Sequence, residues 1–271
     1  MTITVLVENT SLSPSLTEEH GLSVLVQTEG VNILIDSGQT DAIIHNSAVL
    51  GVDLKAVDYL ILSHGHYDHC GGVMSFAQLN GSADIIIADE AFDEYWNTVS
   101  GRYIGVDKRI ASLPKLHKIS SSCSLTDNIE LFGSVSGTKL FPFGNKKLQV
   151  KGETGFAPDS FSHERYTVIT ENGKKYLFSG CAHRGVVNIV EEFELLYGEA
   201  PHAVVSGFHL MKDSEYTPEE INLISQTAEE LRRYPTRFYT GHCTGRAFDI
   251  MKRIMGDKLT EIHTGMKIQI N

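Results

Sequence analysis

Four side chains that commonly bind metal ions stand close together in one stretch of the chain. His64, His66, Asp68 and His69 lie between an apolar run and a Gly-Gly pair, in the segment Leu-Ile-Leu-Ser-His-Gly-His-Tyr-Asp-His-Cys-Gly-Gly. In extended backbone, residues two apart point the same way, so His64 and His66 can meet one cation together. Asp68 and His69 follow the turn and can face a second cation beside it. Imidazole and carboxylate groups are ligands of zinc, iron and manganese.

The alternative for this segment is a polar turn that is rich in histidine by chance. Histidine accounts for 12 of the 271 residues. At that frequency the pattern should arise by accident in about one chain per thousand of this size, so a metal site is the favoured interpretation.

Other histidines follow predicted strands in the same way. The turns that contain His183, His209 and His242 each follow an apolar strand and include glycine. Strand ends converge on one edge of a sheet in layered α/β folds, so these distant residues are predicted to join the first motif. Cys181 can also ligate or bridge as a thiolate. His163 is an alternative third ligand, although His183 is favoured.

The pattern H-x-H-x-D-H directly after an apolar strand resembles the metallo-β-lactamase superfamily. The resemblance implies an αββα four-layer sandwich with two metal sites at one edge, between the sheets. It implies that Asp36 supports the metal-binding loop without binding metal. It also implies that His242 is the last ligand, and that Cys181 stands where the superfamily usually has a bridging carboxylate.

Further motifs resemble one branch of the superfamily over nearly the whole chain. They are Glu-His-Gly-Leu-Ser at 19–23, Asp-Ser-Gly at 36–38, Gly-Cys-Ala-His-Arg-Gly at 180–185, Gly-Phe-His-Leu at 207–210 and Gly-His-Cys-Thr-Gly at 241–245. This branch is labelled metal-dependent hydrolase or 7,8-dihydropterin-6-methyl-4-(β-D-ribofuranosyl)aminobenzene-5'-phosphate synthase.

The leading functional hypothesis is a hydrolase with two divalent cations, zinc before iron or manganese, and a bridging hydroxide that attacks an ester-like or phosphoester substrate. The expected metal ligands are His64, His66, Asp68, His69, Cys181, His183 and His242. Asp68 and His209 are the expected catalytic residues, with His209 contacting a substrate oxygen. The alternatives are the synthase, which forms a carbon–carbon bond, and a metal-bearing ligand-binding protein with little turnover.

Charge and composition restrict the partners. The net charge of −11 argues against a nucleic-acid surface, which needs clustered Lys and Arg. No apolar run approaches the ~20 residues of a membrane span, and the first residues lack a basic start, so a cytoplasmic protein without a membrane contact is expected. Four cysteines do not form a disulfide framework in a chain of this length. The expected partner is a small-molecule substrate.

Residues 1–271 are predicted to form one domain, with a variable insert at about 91–165 that covers the substrate or contacts a second copy in a homodimer. Ordinary short strands are the alternative for that segment. Hairpins are predicted at 22–35 and 166–179, and helices at 40–49, 73–79, 186–197, 217–234 and 247–255. The remaining histidines lack a similar context and are predicted to be surface or packing residues: His20, His45, His117, His202 and His263.

Overall fold

The computed structural model describes residues 1–270. Six α-helices are present in this range: α1 Ala42–Leu50, α2 Tyr67–Cys70, α3 Val73–Leu79, α4 Val186–Tyr197, α5 Pro218–Arg232 and α6 Ala247–Met255. The strands are β1 Thr2–Val7, β2 Ser23–Gln27, β3 Asn32–Ile35, β4 Tyr59–Ile61, β5 Asp84–Ala88, β6 Tyr95–Asn97, β7 Arg102–Tyr103, β8 Leu116–Ile119, β9 Cys123–Thr126, β10 Ile129–Phe132, β11 Leu148–Gly152, β12 Gly155–Pro158, β13 Tyr166–Glu171, β14 Lys174–Phe178, β15 Ala203–Val205, β16 Arg237–Thr240, β17 Leu259–Glu261 and β18 Lys267–Gln269.

These strands form two seven-stranded sheets and a smaller one. The first sheet has the order β18-β1-β2-β3-β4-β5-β8, and the second has the order β17-β16-β15-β14-β13-β10-β9. Strands β3, β4, β5 and β8 run parallel, as do β14, β15, β16 and β17. The third sheet has four strands in the order β12-β11-β6-β7.

Alternation along the strands explains why the sheets stack. Tyr176 and Phe178 on β14 belong to an apolar cluster between the two large sheets, which also contains Ile33 and Ile61 from the first sheet. Leu177 points the other way, into a cluster with α4, α5 and α6. A third cluster packs α1 and α3 against the outer face of the first sheet. The layers are therefore helix, sheet, sheet, helix, and the predicted αββα sandwich is confirmed.

Most elements lie where the sequence predicts them, including both hairpins. Helix α5 begins with the predicted capping box, in which the Thr217 hydroxyl accepts from the Glu220 amide and the Glu220 carboxylate accepts from the Thr217 amide. The helices α3, α4 and α6 have the predicted bounds. Strand β17 has no counterpart among the predicted elements.

The segment 91–165 divides between two places. Its strands β8, β9 and β10 complete the edges of the two large sheets, whereas β6, β7, β11 and β12 form the small sheet. The small sheet has its own apolar cluster of Tyr95, Ile104, Leu148 and Phe161. Residues 143–163, which include β11 and β12, form a stretch that we call the cover segment.

None of the helices in residues 1–270 is long and apolar enough to cross a membrane.

The parallel strands all end at one edge of the sandwich. Asp36 directly follows β3, and the turn with His64 and His66 follows β4. The turns with Cys181, His209 and His242 follow β14, β15 and β16.

Candidate metal centre

The turn after β4 is held in place by close backbone contacts. A Cβ on Gly65 would overlap the backbone of Ala91, and a Cβ on Gly71 would overlap the backbone of Gln39. Only glycine permits these approaches. The turn therefore lies against its neighbours, and all four of its predicted metal-binding side chains are buried.

One group of donor atoms comes from four buried side chains, and we call it the four-donor group. It comprises Asp68, His69, Cys181 and His242, whose donor atoms all lie within 4.8 Å of one another. Nε2 of His69 lies 3.2 Å from Sγ of Cys181 and 3.2 Å from Nε2 of His242. Nε2 of His242 lies 3.4 Å from Oδ2 of Asp68. Nitrogen, oxygen and sulfur donors of this kind suit a divalent transition metal.

A second group consists of His64, His66 and His183, and we call it the three-histidine group. Their donor atoms also lie within 4.8 Å of one another. Nε2 of each of these three residues is buried and has no hydrogen-bond partner among the described residues. Unpartnered buried nitrogens are costly, so a cation that accepts the Nε2 lone pairs of His64 and His183 fits this position.

Cys181 stands between the two groups. Its donor atom belongs to the four-donor group and also lies within 4.8 Å of donor atoms of His183 and His209. This is the place at which the sequence comparison with the superfamily predicts a bridging ligand. The structure thus brings together all seven residues that were predicted as ligands.

Hydrogen bonds orient the imidazole rings and fix their tautomers. The Ser63 hydroxyl donates to Asp36, at 2.7 Å, so it must accept from Nδ1 of His64, at 2.9 Å. Nδ1 of His69 donates to Asp36 at 2.7 Å. Asp36 therefore supports the site without being part of either donor group, as predicted. In each ring the Nε2 lone pair is left for a cation.

Two asparagines do the same for the rings of His242 and His183. Nδ1 of His242 lies 2.9 Å from Oδ1 of Asn9, and Nδ1 of His183 lies 3.2 Å from Oδ1 of Asn145. The Glu8 carboxylate accepts from the backbone amide of His242. Neither asparagine was singled out from the sequence, because an amide side chain carries no metal-ligand signal.

The electrostatic environments of the two groups differ. Burial, together with the neighbouring His163, lowers the pKa of His66 to about 3, and burial also lowers the pKa of His64 and His183. Burial alone would lower the pKa of His69, but the carboxylates of Asp36 and Asp68 outweigh it and raise that pKa to about 9. The three-histidine group is thus neutral at pH 7, whereas His69 is protonated when no cation is bound.

His209 lies beside both groups. Its ring centroid is 4.2 Å from that of His183, and both of its ring nitrogens are buried without a hydrogen-bond partner among the described residues. A Cβ on Gly144 would come within 2.8 Å of Nε2 of His209, so the cover segment packs tightly on this ring. His209 has two free nitrogens next to a cavity, which suits contact with a substrate.

His163, the alternative third ligand, lies outside both groups. Its Nδ1 accepts from the backbone amide of Gly65 at 2.9 Å, which uses its lone pair and places its proton on Nε2. That nitrogen faces Asp159 at 3.2 Å. The position of His183 beside His64 and His66 agrees with the preference for His183.

His20, which is predicted to be a surface or packing residue, has a side chain that is 39% exposed and that also contacts a predicted metal ligand. Nε2 of His20 lies 3.3 Å from Oδ2 of Asp68, and its ring lies 4.8 Å from that of His242. Burial lowers the pKa of His20, but the hydrogen bond with Asp68 and the charges of Asp68 and Cys243 together outweigh burial, and the pKa is raised. The residue lies in a loop without periodicity, so its sequence context gives no sign of this contact.

A cavity of about 130 Å³ opens onto both groups. Its walls come from the metal-binding turns and from residues of the small sheet and its neighbouring loops. Among its lining residues are Asp68, Cys181, His183 and His209 on one side and Asn97, Ile104, Lys147 and Leu148 on the other.

A sequence model of the family described as the metallo-beta-lactamase superfamily matches residues 16–217. The chain belongs to the metallo-β-lactamase superfamily. A solved structure titled as Tm1679, a metal-dependent hydrolase of the beta-lactamase superfamily, is 30% identical, with a TM-score of 0.81 and coverage of 100% of this chain and 99% of the other. This superfamily fold accounts for the two sheets and the shared edge.

Two proteins of Methanocaldococcus jannaschii are also similar along most of their length. One, named uncharacterized protein MJ0448, is 28% identical over 251 residues, which are 90% of each chain. The other is 7,8-dihydropterin-6-methyl-4-(beta-D-ribofuranosyl)-aminobenzene-5'-phosphate synthase, 25% identical over 284 aligned positions, covering 93% of this chain and 90% of the other. Similar proteins thus carry both hydrolase and synthase names.

Proposed function

We propose that the protein is a metal-dependent hydrolase that uses two divalent cations on an ester-like or phosphoester substrate. The observation that carries this proposal is the pair of donor groups that meet at Cys181 beside one cavity. Divalent cations at such a site polarise a carbonyl or phosphoryl oxygen and lower the pKa of water. His64, His66 and His183 would hold one cation, and Asp68, His69, Cys181 and His242 the other, with zinc as the favoured metal.

The residues of the chain have distinct roles in this proposal. The carboxylate of Asp68 is fixed by His20 and His242, so it holds its place as a ligand and orients the attacking water. A protonated ring nitrogen of His209 donates a hydrogen bond to the substrate oxygen on which negative charge develops. In the net reaction, water adds to the acyl or phosphoryl centre and the bond to the leaving oxygen breaks.

The cover segment supplies a cation for the substrate. Lys147 lines the cavity, its side chain is exposed, and it forms no ion pair with the residues that the structure describes. A negatively charged group on the substrate would lie against this ammonium group. A phosphoester or a carboxylate-bearing ester is therefore favoured over a neutral ester.

The alternative hypothesis, a synthase, is supported by the similarity to the M. jannaschii synthase along nearly the whole chain. In that reading the same cations act as Lewis acids in carbon–carbon bond formation with a ribosyl phosphate. Lys147 suits the ribosyl phosphate as well, since that substrate is also anionic.

The test is a panel of phosphodiesters, lactones and thioesters, assayed with protein whose metal content is measured by elemental analysis. We expect turnover that is lost on chelation and restored by zinc, iron or manganese. Replacing Asp68 with Asn should lower turnover far more than it lowers the free energy of unfolding. Failure on the whole panel with two cations bound would contradict the hydrolase, and consumption of a pyrophosphate-activated ribosyl substrate without hydrolysis would favour the synthase.

A further inference from the structure

The two donor groups share the support of Asp36 but differ in their other supports. In the four-donor group, His69 bonds to Asp36 and His242 bonds to Asn9, both outside the cover segment. In the three-histidine group, all three rings contact residues of the cover segment. The first contact is between Asn145 and His183, whose Nδ1 lies 3.2 Å from Oδ1 of the asparagine.

Asn145 holds His183 at two points. Besides accepting from Nδ1, it donates from Nδ2 to the backbone carbonyl of His183 at 2.7 Å. Phe161 stacks on the same ring, with centroids 4.6 Å apart and planes 5° apart. The His183 ring is therefore fixed between two residues of the cover segment.

Asp159 is fixed opposite the second ring, that of His66. Its Oδ1 accepts from the amide of Phe161 at 2.7 Å, and its Oδ2 lies 3.2 Å from the protonated Nε2 of His163. His163 in turn accepts from the amide of Gly65, which lies between His64 and His66. The side chains of Asp159 and His163 are 2% and 0% exposed, so water does not screen this arrangement.

The Asp159 carboxylate faces a buried nitrogen of His66. Oδ2 of Asp159 lies 3.9 Å from Nε2 of His66, and that nitrogen has no hydrogen-bond partner among the described residues. A carboxylate on that side favours a proton on Nε2. The lone pair of His66 is then on Nδ1, and the ring presents this atom to a cation.

We propose that Asp159 and Asn145 are positioning residues that set the cation affinity of the three-histidine group alone. This inference rests on the two-cation function proposed above. The cover segment thereby controls one cation through two rings, His66 and His183. The other cation is controlled by Asp36 and Asn9, and its affinity is independent of the cover segment.

The test is a Co²⁺ titration followed by absorption, with Zn²⁺ affinities measured by competition with a chromophoric chelator. The sulfur-to-cobalt band requires Cys181, and it is assigned to the four-donor group by its loss in His242→Ala. In Asp159→Asn we expect this band to titrate as in the wild type. The second equivalent of cation, at the three-histidine group, should bind about 10- to 100-fold more weakly. Asn145→Ala should have the same selective effect, and it replaces Asp159→Asn if that variant does not fold.

Two further variants complete the comparison. Asn9→Ala should weaken the equivalent that gives the sulfur-to-cobalt band and leave the other one unchanged. Glu94→Gln, an exposed carboxylate on the same insert, should change neither. Equal weakening of both equivalents in Asp159→Asn and Asn145→Ala, or unchanged affinities in both, would overturn the positioning role.

The outcomes for the two proposals are separable. If the wild-type protein binds a single equivalent, the two-cation function is overturned. In that case a single equivalent that lacks the sulfur-to-cobalt band and is weaker in Asp159→Asn would still support the positioning role. An unchanged equivalent without the band, or a weaker one with it, would overturn it.

Discussion

Nδ1 of His69 donates to Oδ2 of Asp36 across 2.7 Å, and both side chains are completely buried. The same carboxylate oxygen accepts from the Ser63 hydroxyl, which in turn accepts from His64. A single carboxylate therefore orients one ring from each donor group. Buried hydrogen-bond partners of this kind raise the affinity of the metal ligands for a cation.

Asp36→Asn should weaken cation binding without changing the backbone. Asp36 has a φ of 59°, a left-handed conformation that asparagine tolerates. Loss of the negative charge should lower the affinity of the four-donor group about 10- to 100-fold, measured by chelator competition. Asp41→Asn, at an exposed position, is the matched control. Equal affinities in Asp36→Asn and the wild type would contradict this role.

Cation binding should release protons at pH 7. The raised pKa of His69, about 9, means that its ring carries two protons before a cation binds, and burial raises the pKa of the Cys181 thiol. Filling the four-donor group should therefore release about two protons, while the three-histidine group, whose pKa values are lowered, releases none. Calorimetric titrations in buffers of different ionisation enthalpy measure this number.

Cys181→Ser is the control for proton release. The serine hydroxyl keeps its proton when a cation binds, whereas the Cys181 thiol loses its proton. The variant should release about one proton fewer. The same number of protons from both proteins would show that Cys181 does not bind as a thiolate.

Acid should destabilise the metal-free protein below pH 6.5. The pKa of His66 is about 3 in the folded protein and 6.5 when exposed. In that window the unfolded chain binds a proton that the folded chain does not, so the free energy of unfolding falls as the pH falls. The slope from His66 alone is about 1.4 kcal/mol per pH unit. Urea unfolding at several pH values between 5 and 7 measures it.

His66→Gln should flatten this dependence, whereas His45→Gln, at an exposed position, should leave it unchanged. His64 and His183, whose pKa values are also lowered, should keep some slope in the His66 variant. A wild-type stability that does not change between pH 7 and pH 5 would contradict the buried neutral histidines.

His209→Asn should lower turnover by about 10²- to 10³-fold, because it removes a donor to the developing charge on the substrate. Both cations should remain bound, since the donor groups that hold them do not require this ring. Turnover and elemental analysis are measured on the same preparation. The exposed His117→Asn is the control, and loss of a cation from His209→Asn would reassign the residue as a ligand.

The sequence predicts the site well wherever the residue type itself carries the chemistry. His64, His183 and His242 follow apolar strands in glycine-containing turns, and the parallel strands bring these turns to one edge. His20 was missed because its contact with Asp68 spans a loop that has no periodic pattern. Asn145 was missed because an asparagine in a polar loop is ordinarily a turn residue.

The parts of the fold that were not predicted have a similar explanation. Strands β8 and β9 are short, partly exposed and lie at sheet edges, so neither shows a regular apolar pattern. Their pairing with β5 and β10 depends on contacts with the rest of each sheet. Local propensity cannot report such contacts.

Several residues at the donor groups have left-handed backbone. Ala182, His209 and His242 have φ values of 55°, 49° and 49°, and each such conformation costs about 1–2 kcal/mol in a residue other than glycine. The packed sandwich must hold these residues in place whether or not an ion is present. We therefore expect divalent cations to bind quickly and with little rearrangement of the donor groups. Which of several cations of similar size is bound should then depend on their concentrations rather than on the geometry of the site.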